Sequence, residues 1–532
     1  MAARSPAPSA PSTTATPSTQ LINDRREIFG WSMYRFANTA FSTTVAVVFL
    51  GPYLAALVDG AAKARPGGVA RLLGLPIAPD SFLSYCIAFS VVFQAGFLPI
   101  LGAIADYSHR RKQLMRLFAN IGAIATVGLF FVQGDLWWLG GALFIIANLA
   151  YGASVVFLNA YLPDIASASQ RDRVSAFGWG IGYLGGGLLL IGNLVLFLLH
   201  DKLGVPSGLA VRINLASAGV WWFVWSIWTW VTLRTRQPAR QMPPGQSIWA
   251  VAFNQLSETM ETPARVIAGL LLSPLLVVIL LPLVSLLGLP IEGVFLALLG
   301  PIIMIVRFLW RKSRTIPETA KYLAAYLIYN DGIQTVISVA AVFAAAPLAR
   351  GGLAIATVPL TLIILMIQFV GFGGTLFFGW LAGKLGTKQA LILSLVIWAG
   401  VVIYAYFGMR DRAVMPGLGI PRAEFEFWVL SAFIATVLGG SQALSRSLFA
   451  QMVPKGQEAE FFSIYEISES GTSWLGPLIF GVVNQAIGNL RPAILSVIVF
   501  FAVGLVILPF VNTKRAHAES GQTDLGPQPL AT

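Results

Sequence analysis

The chain has 532 residues, of which 56% are hydrophobic and 11% charged, and its net charge is +12. Soluble domains carry about 25% charged residues, so a water-facing surface over this length is excluded and much of the exterior must face lipid. The basic residues fall between apolar runs rather than on one helix face, which argues against a nucleic-acid partner and suits anchoring to anionic membrane lipid. The one cysteine, Cys86, lies inside an apolar run, so no intrachain disulfide or thiolate cluster can form. The three histidines, His109, His200 and His517, all lie outside the deep part of any apolar run. Neither a histidine proton relay, a metal site nor a cofactor is expected, and an enzyme is not the expected class.

Residues 1–24 open with a stretch rich in Ala, Pro, Ser and Thr and without the apolar core of a signal peptide, which predicts a disordered cytoplasmic tail. About fourteen segments reach the roughly 20 apolar residues that a spanning helix needs. Six lie in residues 25–236: Trp31–Val58, Phe82–Ala105, Leu114–Val132, Leu136–Tyr161, Val174–Leu199 and Ile213–Leu233. The linker, 237–320, carries Trp249, Phe253, Leu256 and Met260 at helical spacing, which predicts an amphipathic helix on the membrane surface. Val266–Leu287 and Ile291–Trp310 follow it as an inserted hairpin, from which Arg307 would snorkel to the surface. Six more spans occupy residues 321–512: Tyr322–Ala345, Val358–Ala382, Ala390–Phe407, Phe425–Gln451, Phe461–Ala486 and Pro492–Val511. Residues 513–532 read as a second disordered tail.

Basic residues at span ends favour the cytoplasm. Arg25 and Arg26, the run Arg110-Arg111-Lys112, Arg171 and Arg173, Arg234, Lys384 and Lys388, and Lys514 and Arg515 mark alternate loops. Both termini are therefore expected on the cytoplasmic side of a cell membrane, a bacterial inner membrane. The tryptophans, Trp137, Trp138, Trp221, Trp222, Trp225, Trp228 and Trp230 among them, suit interfacial belts.

The two groups of six spans repeat each other weakly. Arg35-Phe36-Ala37-Asn38-Thr39 aligns with Asp331-Gly332-Ile333-Gln334-Thr335, with Tyr34 and Tyr329 just upstream. Duplicated halves of this kind usually hold a solute site between them near the membrane midplane. Ionisable groups inside a bilayer are costly and mark such sites. Asp331 stands about nine residues into its span, roughly 13 Å at 1.5 Å per residue. Arg35 is its repeat mate, and the two would form a charge pair across a cavity or bind the two ends of a zwitterion. A structural salt bridge is the plainer alternative. Asn38 and Gln334 would add neutral hydrogen-bonding groups. Glu466 and Glu469, three apart, share a helix face and suit either proton coupling or a gate paired with Arg110, Arg173 or Arg446.

Gly102-Ala103-Ile104-Ala105-Asp106 runs into the basic stretch through Arg110 and Arg111. Its glycine lets another helix approach, and its acid can meet a helix N-terminus or a neighbouring arginine as a latch. The second half carries a worn copy in which Gly383 stands in place of the acid. Gly178, Gly182 and Gly186 recur every fourth residue, as do Gly371, Thr375, Gly379 and Gly383, giving smooth faces for close helix crossing.

The Gly102–Lys112 stretch resembles the loop motif of the major facilitator superfamily. Trp31-Ser32-Met33-Tyr34-Arg35-Phe36-Ala37-Asn38-Thr39, Asn159-Ala160-Tyr161-Leu162-Pro163, Tyr329-Asn330-Asp331-Gly332 and Gly439-Gly440-Ser441-Gln442 resemble the "unknown major facilitator" family, which includes the autophagy-linked vacuolar amino-acid effluxers. The resemblance implies an all-α membrane protein of two six-helix bundles, here with the inserted hairpin, working by alternating access. It implies export of amino acids or related small solutes, with a proton or sodium ion as coupling partner. The family usually has an acid where Arg35 stands, and it usually has twelve spans. A membrane-embedded lipid enzyme and a non-transporting receptor or scaffold are the rival readings. The first needs a cluster of acids or metal ligands that the sequence approaches only at Glu466 and Glu469.

Overall fold

The computed structural model describes residues 22–235, 314 and 316–520, apart from short breaks at 66–67, 73–74, 78, 80–81, 108–109, 412, 418, 472–475, 477–478, 481–482 and 485–486. The expected amphipathic stretch and inserted hairpin lie outside these residues. With no water in the hydrocarbon core, each span must satisfy its own backbone, so apolar runs become helices. In the first group these are α1 (Arg25–Lys63), α2 (Phe82–Asp106), α3 (Arg111–Phe131), α4 (Trp137–Ala160), α5 (Arg171–Leu199) and α6 (Ser207–Thr232). The second group holds α7 (Pro317–Ala345), α8 (Thr357–Leu385), α9 (Thr387–Phe407), α10 (Arg422–Met452), α11 (Glu458–Gly471) and α12 (Leu490–Phe510). Among the described residues, 9 helices are long and apolar enough to cross a membrane, which makes this a multi-pass membrane protein.

Two local departures from plain helix matter. Residues Phe41–Phe49 of α1 form a π-helical stretch, a wider turn often found at functional sites. A short hairpin of β1 (Ala70–Leu72) and β2 (Leu75–Ile77), antiparallel with Ala70 opposite Ile77, joins α1 to α2.

Within the first group α1 rests on α5 and α6, and α4 on α2 and α3. In the second, α8 and α9 rest on α10, and α7 on α12. The groups meet along two seams, α5 against α8 and α10, and α11 against α2 and α4. Counting six helices on, α2–α11 and α8–α5 are equivalent pairs, so the seams are related by the internal repeat.

The repeat is visible atom by atom. Thr39 Oγ1 donates to the Arg35 carbonyl at 2.7 Å, and Thr335 Oγ1 donates to the Asp331 carbonyl at 2.6 Å. A Cβ on Gly182 of α5 would meet Thr39 and Arg35, and one on Gly476, beyond α11, would meet Thr335 and Asp331. Each half thus seats its first helix on a glycine, within the fifth helix in the first half and just past it in the second. The Gly178, Gly182 and Gly186 face does carry α1: their missing side chains would collide with Trp31, Thr39 and Thr43.

The tryptophan reading needs correction. Trp137 and Trp222 are buried, Trp222 against Tyr34, Phe41 and Tyr151, whereas Trp138 and Trp228 are exposed as a belt residue should be. A large ring on α6 fills the space left by Gly122 of α3 and so packs the helix group together.

Candidate transport site

Between the two helix groups lies a cavity of about 230 Å³. Drug-sized ligand pockets run to roughly 300–1,000 Å³, so this one suits a small solute. The π-helical turn and its flank bring Thr39, Ser42 and Thr43 to the wall, and α4 and α5 add Tyr151, Trp179 and Tyr183. From the second group come Gln334, Gln368 and Gln442. Gln442 is held by donating to Asn330 Oδ1 at 2.8 Å. Arg35 is at the floor, 2% exposed, while Val47 and Ile337, both exposed, stand nearer the rim. No acidic residue lines the cavity among the described residues.

The Arg35 guanidinium lies 4.5 Å from the Trp179 ring centroid, and Nη2 donates to Asn159 Oδ1 at 3.4 Å. Its Nε has no partner, and Arg35 makes no ion pair among the described residues. The ring quadrupole offsets part of the cost of the buried charge. The same Asn159 oxygen accepts Nη1 of Arg446 at 3.2 Å, and the Arg446 guanidinium lies 5.6 Å from the other partner of Arg35, Trp179. Arg446 also binds the Ser175 hydroxyl at 3.0 Å and the Ser175 carbonyl at 2.8 Å. Those bonds fasten α10 to α5 just below the cavity floor.

A second fastening closes the same end of the molecule, where α2 and α3 meet. Asp106 accepts the backbone N–H groups of Ala459 and Glu460 at 3.1 and 3.0 Å, in the first turn of α11. It also accepts Arg111 Nη2 at 3.1 Å, and Arg111 reaches Asp164 at 3.0 Å. The carboxylate meets both the positive end of a helix and a guanidinium, each stabilising it. Contact this close depends on Gly102, where a Cβ would lie 2.5 Å from the Ala459 carbonyl oxygen. At the equivalent α5–α8 seam, Gly383 leaves no acid. There Asp172 of α5 accepts the Thr387 hydroxyl at 2.6 Å.

The expected site residues separate. Arg35 and Gln334 line the cavity. Asp331 does not; its Oδ2 accepts the Gly476 N–H at 2.9 Å and its Oδ1 has no partner among the described residues. The expected Arg35–Asp331 charge pair is therefore absent, because each side chain follows its own half's fifth helix. Tyr34 is also no cavity residue: it is buried toward α6, its hydroxyl accepting Trp222 Nε1 at 3.3 Å. Asn38 is fully buried away from the cavity, and neither end of its amide has a partner among the described residues. Glu466 is buried on α11 and Glu469 lies on the same helix, but its side chain is outside the description. Of the gate residues, Asp106, Arg111 and Arg446 are in the closed end, whereas Arg110 is exposed at the start of α3. Sequence reasoning missed Trp179, Gln368 and Gln442 as cavity groups and Asn159 as the acceptor shared by Arg35 and Arg446. The signal was there in three of them: a lone amide inside an apolar span needs a partner or a purpose.

Two layered bundles meeting on a small polar cavity, closed at one end by charge, define a major facilitator transporter. The human organic anion transporter MFSD10 has the same fold at a TM-score of 0.61 and 15% identity, covering 91% of this chain and 99% of that one. The family described as "Vacuole effluxer Atg22 like" matches residues 23–272 and 296–521, and the chain belongs to it. Among its relatives is the uncharacterised MFS-type transporter YxiO of Bacillus subtilis, 27% identical over 495 residues, 92% of this chain and 96% of that protein. Autophagy-related protein 22-1 of Penicillium rubens is 25% identical over 520 residues, 84% of this chain and 78% of that one. The chain is a secondary transporter of that family.

Proposed function

We propose that the chain exports amino acids or related metabolites from the cell by alternating access, with a proton as the coupling ion. The observation that carries the reading is the central cavity beside a closed end: one face of the polar site is sealed by Arg446, Ser175 and Asp106 while the cavity lies beyond the seal. The effluxer description of the family supports the export direction. The protein would sit in a cell membrane with residues 25–236 and 321–512 as its two rocking bundles and both termini in the cytoplasm, the side of the Asp106 cluster. Asp331 is the candidate proton carrier, since ionisable groups buried in membrane helices commonly serve proton relays and one of its oxygens is unpartnered among the described residues. A non-transporting scaffold with the same fold is the rival reading for Arg35. The place of Arg35 on the cavity floor favours a carrier.

Reconstitution of the full chain in liposomes tests this. With amino acids and small organic acids inside, an imposed proton gradient should drive at least one solute across. If no solute moves under a proton or sodium gradient, the carrier reading fails.

A further inference from the structure

Among the described residues the cavity is lined by one fixed positive charge and no negative one. Arg35 sits in the membrane-spanning part of α1, almost wholly buried and with its Nε unpartnered among the described residues. A buried charge without a counter-charge is expensive, and a guanidinium in this state is matched best by a planar carboxylate, which takes two parallel N–H bonds. The Trp179 ring, 4.5 Å from the guanidinium, covers one side of it and so limits the directions from which an acid can approach. The remaining polar wall, Gln334, Gln368 and Gln442 with the hydroxyls of α1, is neutral and offers both donors and acceptors. Nothing in that wall supplies a counter-charge for an ammonium, because Asp331 is turned to Gly476.

We propose that the cavity is a carboxylate-recognition site in which Arg35 holds the acid group of a small organic anion, and that an ammonium group on the solute is not needed for binding. This rests on the transporter reading above and narrows its substrate class. An amino acid would then be taken by its carboxylate, and its deaminated analogue would serve as well. The cavity would refuse the decarboxylated amine, since a second cation beside Arg35 gains nothing and loses its hydration.

The test uses the purified full-length protein and thermal shift as a binding readout that does not depend on transport. The probes are matched sets: valine, isovalerate and isobutylamine, with further monocarboxylates from acetate to benzoate and their amines. Valine or another carboxylate should raise the melting temperature, with its ammonium-free analogue no more than about threefold weaker, and no amine should do so. Arg35→Gln should weaken the carboxylate response by at least about tenfold, the loss of one charge-assisted contact. Arg35→Lys, which keeps the charge, should fold and keep part of the response, separating recognition from stability. The proposal is overturned if no monocarboxylate binds, if amines bind as well as acids, or if Arg35→Gln binds isovalerate as the native chain does. Flux of a sugar or a cation in liposomes without carboxylate binding would sink this proposal and leave the carrier reading standing. Carboxylate binding without any flux would do the reverse.

Discussion

Arg35 and Arg446 share one acceptor: the side-chain oxygen of Asn159 takes Nη2 of Arg35 at 3.4 Å and Nη1 of Arg446 at 3.2 Å. The first arginine faces the cavity and the second fastens α10 to α5 through Ser175. Solute on Arg35 and the α10–α5 fastening are therefore coupled through one oxygen, which accepts from both arginines at once.

Asn159→Ala should remove that link. Two buried guanidinium contacts are lost, so the variant should be less stable by about 2–4 kcal/mol, hydrogen bonds to charged groups being worth roughly 1.5–3 kcal/mol each and only partly additive. Asn159→Asp should do the opposite for stability, since a carboxylate between two arginines neutralises them. It should also suppress binding of monocarboxylates by occupying Arg35. Thermal denaturation with and without isovalerate reads both effects.

Asp106→Asn keeps the shape of the latch and removes its charge. The α2–α11 seam should open more often, by about tenfold or more if one charge-assisted bond of roughly 1.5–3 kcal/mol is lost. A reporter cysteine at Gln451, near the closed end of α10, in a Cys86→Ser background should be labelled correspondingly faster. An unchanged labelling rate would mean that the charge does not hold the seam.

Gly102→Val acts on the same seam by bulk. Its side chain cannot share the space held by the Ala459 backbone, so closure of that end becomes strained. The same cysteine reporter should show an open population above that of Asp106→Asn. Thermal stability should fall by about 1–3 kcal/mol, the usual cost of overpacking.

Asp331→Asn should separate transport from its driving force. Uptake driven by an imposed pH gradient should fall to about background, while solute-for-solute exchange across the same liposomes should continue, because the carboxyl lies outside the cavity lining. Loss of exchange as well would show that Asp331 holds the helices rather than the proton.

Much of the fold was legible because lipid leaves little choice. Apolar runs must become helices, and the alignment of Arg35–Thr39 with Asp331–Thr335 located the repeat that the Gly182 and Gly476 contacts bear out. The Asp106 contacts with Arg111 and the start of α11 were legible because glycine, acid and arginine stand at short spacing. The cavity was less so. Tyr34 and Asn38 neighbour Arg35 in sequence, but a helix turns by about 100° per residue, so neighbours face different partners. Whether a charge points at a cavity or at the next helix depends on the rotation of that helix. Asp331 and Arg35, equivalent in the repeat, consequently meet different surroundings. Trp222 shows the same limit: a ring in an apolar span can border lipid or fill a core, and only its neighbour Gly122 decides.

The two seams are held by different chemistry. Asp106 ties α2 to α11 with a full charge and two backbone bonds, whereas at the matching place Gly383 carries no acid, and α5 is held by Asp172 to Thr387 at the start of α9 and by Ser175 to Arg446 of α10. One margin thus hangs on a single carboxylate and the other on bonds spread over two helices. A single substitution can free the first, whereas the second yields only piecemeal.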